Sequence, residues 1–211
     1  MAISLATIED RVLARLAADM ATPSYAKIHS NNITAFANEA IHKVVWHYIN
    51  KFIETKIESV LQPIQALQKL ASLTLATGTG DVALPTDFEF ATSVVVTPTA
   101  STTRQAKIYY DADGFRKWDS SNFLRTPNAK FIVALIENGK LYVKPLATST
   151  TYKTALMDYI KTHPTLSGSQ ATVFDSNADA MLEAIIAMRV YDFLEEPELS
   201  NKAVVEAGMG A

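Results

Sequence analysis

The chain has 211 residues, no cysteine and a formal net charge of -3. Hydrophobic residues make up 48% and charged residues 19%, which supplies a core and excludes compositional disorder. Disulfides, thiolate metal sites and cysteine nucleophiles are excluded, and the acidic balance (pI about 5.8) argues against a strongly basic nucleic-acid binder. The longest apolar run, Phe131 to Ile136, is too short to span a membrane, and the start runs directly into Glu9-Asp10 without a basic n-region. The expectation is a soluble chain, intracellular when made, with no membrane partner.

Glycine is confined to the middle and the extreme end of the chain, so the two glycine-poor ends read as helical and the middle as strands and turns. Residues 7–20 form the first expected helix: Ile8, Val12, Leu16 and Met20 share one face, with Thr7 and Asp10 as a capping pair. Residues 32–61 form a long second helix. Its broad apolar face carries Ile33, Phe36, Ala37, Ala40, Ile41, Val44, Val45 and Tyr48. Trp46, Ile53 and Ile57 lie off that stripe, nearer the polar side. Either Trp46 packs under the chain returning from the sheet, or the three residues are a second surface to bury and a candidate subunit interface. Pro63 ends or kinks the helix, and residues 64–70 add another turn or two.

Residues 72–165 read as β-structure. Strands are expected at 72–76, 82–84, 93–97, 132–136, 141–144 and 151–160, with a short helix at 112–118. Asn138-Gly139 between two alternating runs is a type I′ hairpin turn. It sets Glu137 opposite Lys140 and Ile136 opposite Leu141. A last helix spans 176–194, capped by Ser176, with a stripe of Met181, Leu182, Ile185, Ile186, Val190 and Phe193. Residues 197–211, acidic and then glycine-containing, read as a tail that stays mobile until assembled.

The fold class is therefore α+β: N- and C-terminal helices packed as a bundle with an inserted antiparallel β-rich domain. The expected domains are 1–71, 72–170, 171–196 and the tail 197–211.

No catalytic constellation emerges. His42 and His47 stand five apart and diverge by about 140° on a helix, so they share no metal; His29 and His163 are isolated. Ala76-Thr77-Gly78-Thr79-Gly80-Asp81 superficially resembles a phosphate loop, but it lacks Lys-Ser/Thr and no helix follows, so it reads as a turn. Residues 104–144 hold eight basic against four acidic residues, a balance of +4, while 145–211 hold four against nine, a balance of -5. Tyr109, Tyr110, Phe115, Trp118 and Phe123 interleave with the basic stretch. That pattern fits a weak single-strand nucleic-acid platform, and fits a solvated rim or protein interface better. The expectation is no catalytic residue, no metal and no cofactor.

The order of elements resembles the head-to-tail adaptor (connector, or ring) proteins of tailed bacteriophages, especially short-tailed ones. The residues carrying the resemblance are Val82-Ala83-Leu84-Pro85-Thr86-Asp87-Phe88, Gly139-Lys140-Leu141-Tyr142-Val143-Lys144-Pro145, Leu156-Met157-Asp158-Tyr159 and the terminal helix 178–194. Physically, Pro85 and Pro145 lack an N–H and stop strands. Asp87 starts a tight turn by accepting backbone N–H groups, and Phe88 or Phe90 plugs the core. Leu84 completes the first motif.

The resemblance implies a structural protein that forms a homo-dodecameric ring beneath the portal. Such a ring extends the channel through which DNA passes without sequence-specific binding, and it docks the tail or a second ring protein. It also implies a location in the virion neck, with assembly in the bacterial host cytoplasm. Portal contact falls on the C-terminal segment, with Glu195, Glu196, Leu199, Val204 and Val205 as candidates. The competing reading is a small-molecule or carbohydrate-binding module, or a small enzyme, using a cleft lined by Tyr109, Tyr110, Trp118 and Tyr142.

Overall fold

The computed structural model describes residues 3–19, 30–98, 103–118, 131–145, 152–167, 170–194 and 196–208. The chain divides into two compact units, one built from 1–67 and 163–211 and the other from 68–162. The inserted unit thus begins and ends earlier than the expected 72 and 170. The fold class is α+β, with helices from both chain ends.

In the helical unit, α1 (Leu5–Asp19) buries Leu5, Ile8, Val12 and Leu16 along one stripe. Its cap is Ser4, whose hydroxyl accepts from the Thr7 N–H at 3.2 Å, one turn before the expected Thr7. The helix α2 (Ser30–Thr55) buries Ile33, Ala37, Ala40, Ile41, Val44, Val45, Ile49 and Phe52. It stops at Thr55, short of the expected 61, because Lys56 enters the left-handed region at φ 58°. A 3₁₀ helix, Glu58–Leu67, follows. It buries Leu61, Ile64 and Leu67, spaced three apart as three residues per turn requires.

The short helix α3 (Ala112–Arg116) belongs to the other unit; here the helix α4 (Ser176–Phe193) is buried on nearly every side rather than along a stripe, which marks it as the central helix of its unit. Its cap is Asp175, whose carboxylate accepts from the N–H groups of Asn177 and Ala178, both at 2.9 Å, in place of the expected Ser176. Phe193, placed in the buried stripe by periodicity, is instead 53% exposed at the helix end. It lies 6.2 Å from Phe36, and Arg189 pairs with Glu39, so α2 and α4 run antiparallel. Arg11 of α1 reaches Glu183 of α4 at 2.6 Å.

Within the segment expected to be a mobile tail, residues 197–206 form a helix. Pro197 opens helix α5 (Pro197–Glu206), which packs on α4 with Ser200 and Ala203 buried. Proline at the first helical position costs no hydrogen bond there, and the acidic run supplies Glu198 to the first turn.

The β unit is a two-sheet sandwich. One sheet runs β1 (Gln68–Thr74), β8 (Tyr152–Lys161), β3 (Phe88–Pro98), β4 (Arg104–Gln105). The other runs β2 (Asp81–Ala83), β7 (Lys140–Lys144), β6 (Val133–Glu137), β5 (Lys107–Tyr109). All pairs are antiparallel except β5–β6, so the inserted domain is antiparallel-rich, as expected. Both sheets turn inward onto one core that includes Leu73, Val94, Val96, Ala134, Ile136, Leu141, Val143 and Met157. The β6–β7 hairpin has the expected turn, with Asn138 at φ 51° and Gly139 at φ 72°, and the expected register. Across it the Lys140 ammonium bonds Asp81 of β2 at 2.9 Å.

Candidate interaction surfaces

Two motifs distant in sequence meet in the β unit. Pro85 accepts the Phe88 N–H at 3.1 Å, closing a turn between β2 and β3. That turn presents Asp87 to β8. The Asp87 carboxylate accepts from Tyr159 Oη at 2.9 Å and from Lys69 Nζ of β1 at 2.7 Å, and its carbonyl accepts from the Thr162 N–H at 2.7 Å. Lys69, and then the Tyr159 hydroxyl, hold the carboxyl below the ordinary aspartate range. Burial, then the hydrogen bond to Asp87, pushes the Tyr159 phenol up to about 12. The Phe88 ring stacks on Tyr159 at 6.0 Å, and Phe90 is buried against Tyr110 at 5.1 Å. Side chains, more than the backbone N–H groups expected from sequence, thus hold the Asp87 carboxylate.

The connection from β8 to α4 is fixed by residues that sequence periodicity did not single out. Asn38 of α2 donates to the Leu166 carbonyl at 3.0 Å and accepts the Leu166 N–H at 2.7 Å, so one amide side chain completes a strand-like pair. His163 is buried. Its Nε2 accepts from the Val173 N–H at 3.3 Å, which leaves Nδ1 to donate to the Pro164 carbonyl at 2.6 Å. The ring thereby bridges two backbone groups of the loop. The segment before α1 pairs with 170–172, and Thr172 Oγ1 donates to Asp179 Oδ1 at 2.6 Å. Among the described residues Asp179 Oδ2 is buried without a hydrogen-bond partner, and burial raises its pKa.

The aromatic cleft does not assemble. Tyr109, Trp118 and Tyr142 gather around Phe115, Val133 and Leu135 on the outer face of the β5-containing sheet, with Trp118 Nε1 donating to Tyr109 Oη at 2.7 Å. Tyr110 turns the other way, stacks on Phe90 and donates to the Ala91 carbonyl at 2.8 Å. Successive strand residues face opposite sides, which the sequence reading overlooked.

Several basic residues near these rings are engaged. Lys107 lies 5.1 Å from the Tyr109 ring centre and Lys144 lies 4.5 Å from that of Phe115. Phe123, Arg125 and Lys130 lie outside the described residues, as does His29. The 76–81 turn bonds its own amides, Gly80 N–H to Ala76 and Ala76 N–H to Asp81, both at 2.9 Å, rather than offering them to a phosphate. Among the described residues no three His, Asp or Glu side chains gather as metal ligands would, and no helix is long and apolar enough to cross a membrane. His42 is exposed, and burial, then nearby Lys51, lowers the His47 pKa.

Trp46 and Ile53 sit on one exposed side of α2, two turns apart and each 39% exposed. Ile57, just past the helix end, is 53% exposed. On α5, Val205 is 72% exposed, Leu199 and Val204 are half-buried, and Glu196 is exposed at the helix start. Glu195 lies outside the described residues.

The model of the SU10 adaptor protein family matches residues 3–210. The chain belongs to that family. It is a phage head-to-tail adaptor, a structural protein whose resemblance was already visible in the Leu-Pro-x-Asp-Phe and Asp-Tyr segments that the fold joins. No curated protein matches the chain.

Proposed function

We propose that this adaptor forms a ring beneath the portal, extends the DNA channel and gives the tail or a second ring protein its docking surface. The family match over nearly the whole chain carries the reading. The ring is a homo-dodecamer in the virion neck, assembled in the host cytoplasm, and it works through shape and contact surfaces without catalysis or cofactor. DNA passes without sequence-specific contact. A closed ring needs two different patches per subunit. The strip Trp46, Ile53 and Ile57 supports one of them, because a tryptophan and an isoleucine on α2 and the isoleucine just past its end stay substantially in solvent. The portal contact falls on α5 and its approach, through Glu195, Glu196, Leu199, Val204 and Val205. The acidic balance of 145–211 suits a surface that DNA slides past.

Electron microscopy of virions and of the chain co-expressed with its portal tests this. Rings stacked on the portal are expected, and Trp46→Ser with Ile53→Asn is expected to abolish them while the fold survives. A chain absent from virions, or subunits that never enclose a bore, refutes the reading. A lumen lined by Lys and Arg refutes the channel assignment.

A further inference from the structure

Four strand edges bound the sandwich, and three of them are blunted. The edge strands β2 and β5 are three residues long and β4 is two. Beside β4, strand β3 carries Pro98 and three register shifts. The fourth edge, β1, is different. It runs seven residues, about 23 Å, in unbroken register against β8 from Gln68↔Ile160 to Thr74↔Thr154. Alternate residues of β1 spend their N–H and C=O groups on β8, and the others turn theirs outward. Among the described residues no strand lies on that side.

The usual protections of an edge are missing. The strand has no proline and no bulge, and its only charge, Lys69, is held by Asp87 at 2.7 Å. Leu70 projects from the sheet's outer face, 64% exposed, with Leu156 diagonal to it one strand in and 37% exposed. Gln68, Ser72 and Thr74, on the same face of β1, are neutral and exposed.

We propose that the β1 edge is a strand-docking site, occupied in the assembled neck by an extended, uncharged segment of a neighbouring virion protein. This rests on the head-to-tail reading above. The incoming chain bonds the outward backbone groups and lays an apolar side chain beside Leu70. Its alternate positions meet neutral side chains, so charges there are desolvated without a partner. Self-pairing of two β1 edges is a poor alternative, since a seven-residue edge falls far short of the roughly 1,200 Å² that a stable dimer buries. A segment tethered to a partner docked elsewhere needs no such area, because its effective concentration is high.

Hydrogen exchange on the free chain and on intact virions, with a cryo-EM map of the neck, decides it. Half of the 68–74 amides exchange quickly in the free chain and slow by roughly 100-fold in virions. The map shows an added strand about 4.8 Å from β1. Leu70→Lys with Ser72→Lys lowers incorporation into particles by about tenfold while the free chain keeps its Tm. Should that variant unfold, the wild-type map still decides. An edge left bare in a ring-bound subunit, or covered by a helix or by β1 of a second copy, overturns strand docking and leaves the adaptor reading intact. A chain missing from virions removes both.

Discussion

The helices α1, α2 and α4 pair most of their backbone internally, so what the helical unit offers a neighbour is side chains: Trp46, Ile53, Ile57 and Val205. The β unit spends side chains from both sheets on one shared core and keeps Asp87, Tyr159 and Lys69 for its own turn. What distinguishes it is an open backbone edge along β1, with Leu70 exposed beside it. The two units therefore carry different kinds of contact: apolar patches that tolerate sliding and repacking, and a ladder that fixes register. An assembly can use the first for subunit packing and the second for alignment.

The largest expected effect tests whether the units are separate. Ile49→Ala in α2 and Leu141→Ala in β7 each remove a fully buried side chain and cost about 3 kcal/mol. Hydrogen exchange is expected to show each opening its own unit first. If either substitution opens both units equally, the two fold as one cooperative block and the contrast fails.

Asp87→Ala is smaller, about 1 kcal/mol, because the carboxylate is 35% exposed and its bonds are partly screened. Its folded pKa is lowered, so its contribution is present above the ordinary aspartate value of about 3.9 and is lost as pH falls through the depressed one. Tyr159 has the opposite sign. Its contribution is present below about pH 10 and is lost as pH rises through about 12. Urea melts from pH 2 to 7 are expected to lose part of their acid slope in Asp87→Ala. An unchanged slope would mean that Asp87 is not a source of acid sensitivity in the β unit.

Asp179→Asn sharpens the helical side. Burial raises the Asp179 pKa, so the native state favours its proton, and that stabilisation is lost as pH rises. The amide removes the charge, can still accept from Thr172, and is expected to add about 1 kcal/mol at pH 7. A drop in Tm on calorimetry at pH 7 would show that the carboxylate is needed. The smallest expected effect is Trp46→Ser, within about 0.5 kcal/mol by chemical denaturation. A larger loss would make Trp46 a core residue and remove it from the interface.

Much of this was legible in local pattern. The stripe Ile8, Val12, Leu16 and the Asn138-Gly139 hairpin follow from periodicity and turn chemistry that act over a few residues. The end of α2 at Lys56, the helix α5 and the role of Asn38 were not legible. A left-handed residue, a short polar helix and an amide bonded to a backbone 128 positions away leave little periodic trace. The adaptor resemblance rested on Asp87 and Tyr159 as separate motifs, and only folding joined them.

By itself the sequence determined the α+β class, the hairpin register and the off-stripe position of Trp46 and Ile53, because helix and strand periods are properties of neighbouring residues. Tertiary structure alone decided that Trp118 and Tyr142 join Tyr109 on one sheet face, that α4 is buried all round and that β1 is the long open edge. Burial and strand order depend on which distant segments meet, and no local pattern encodes that.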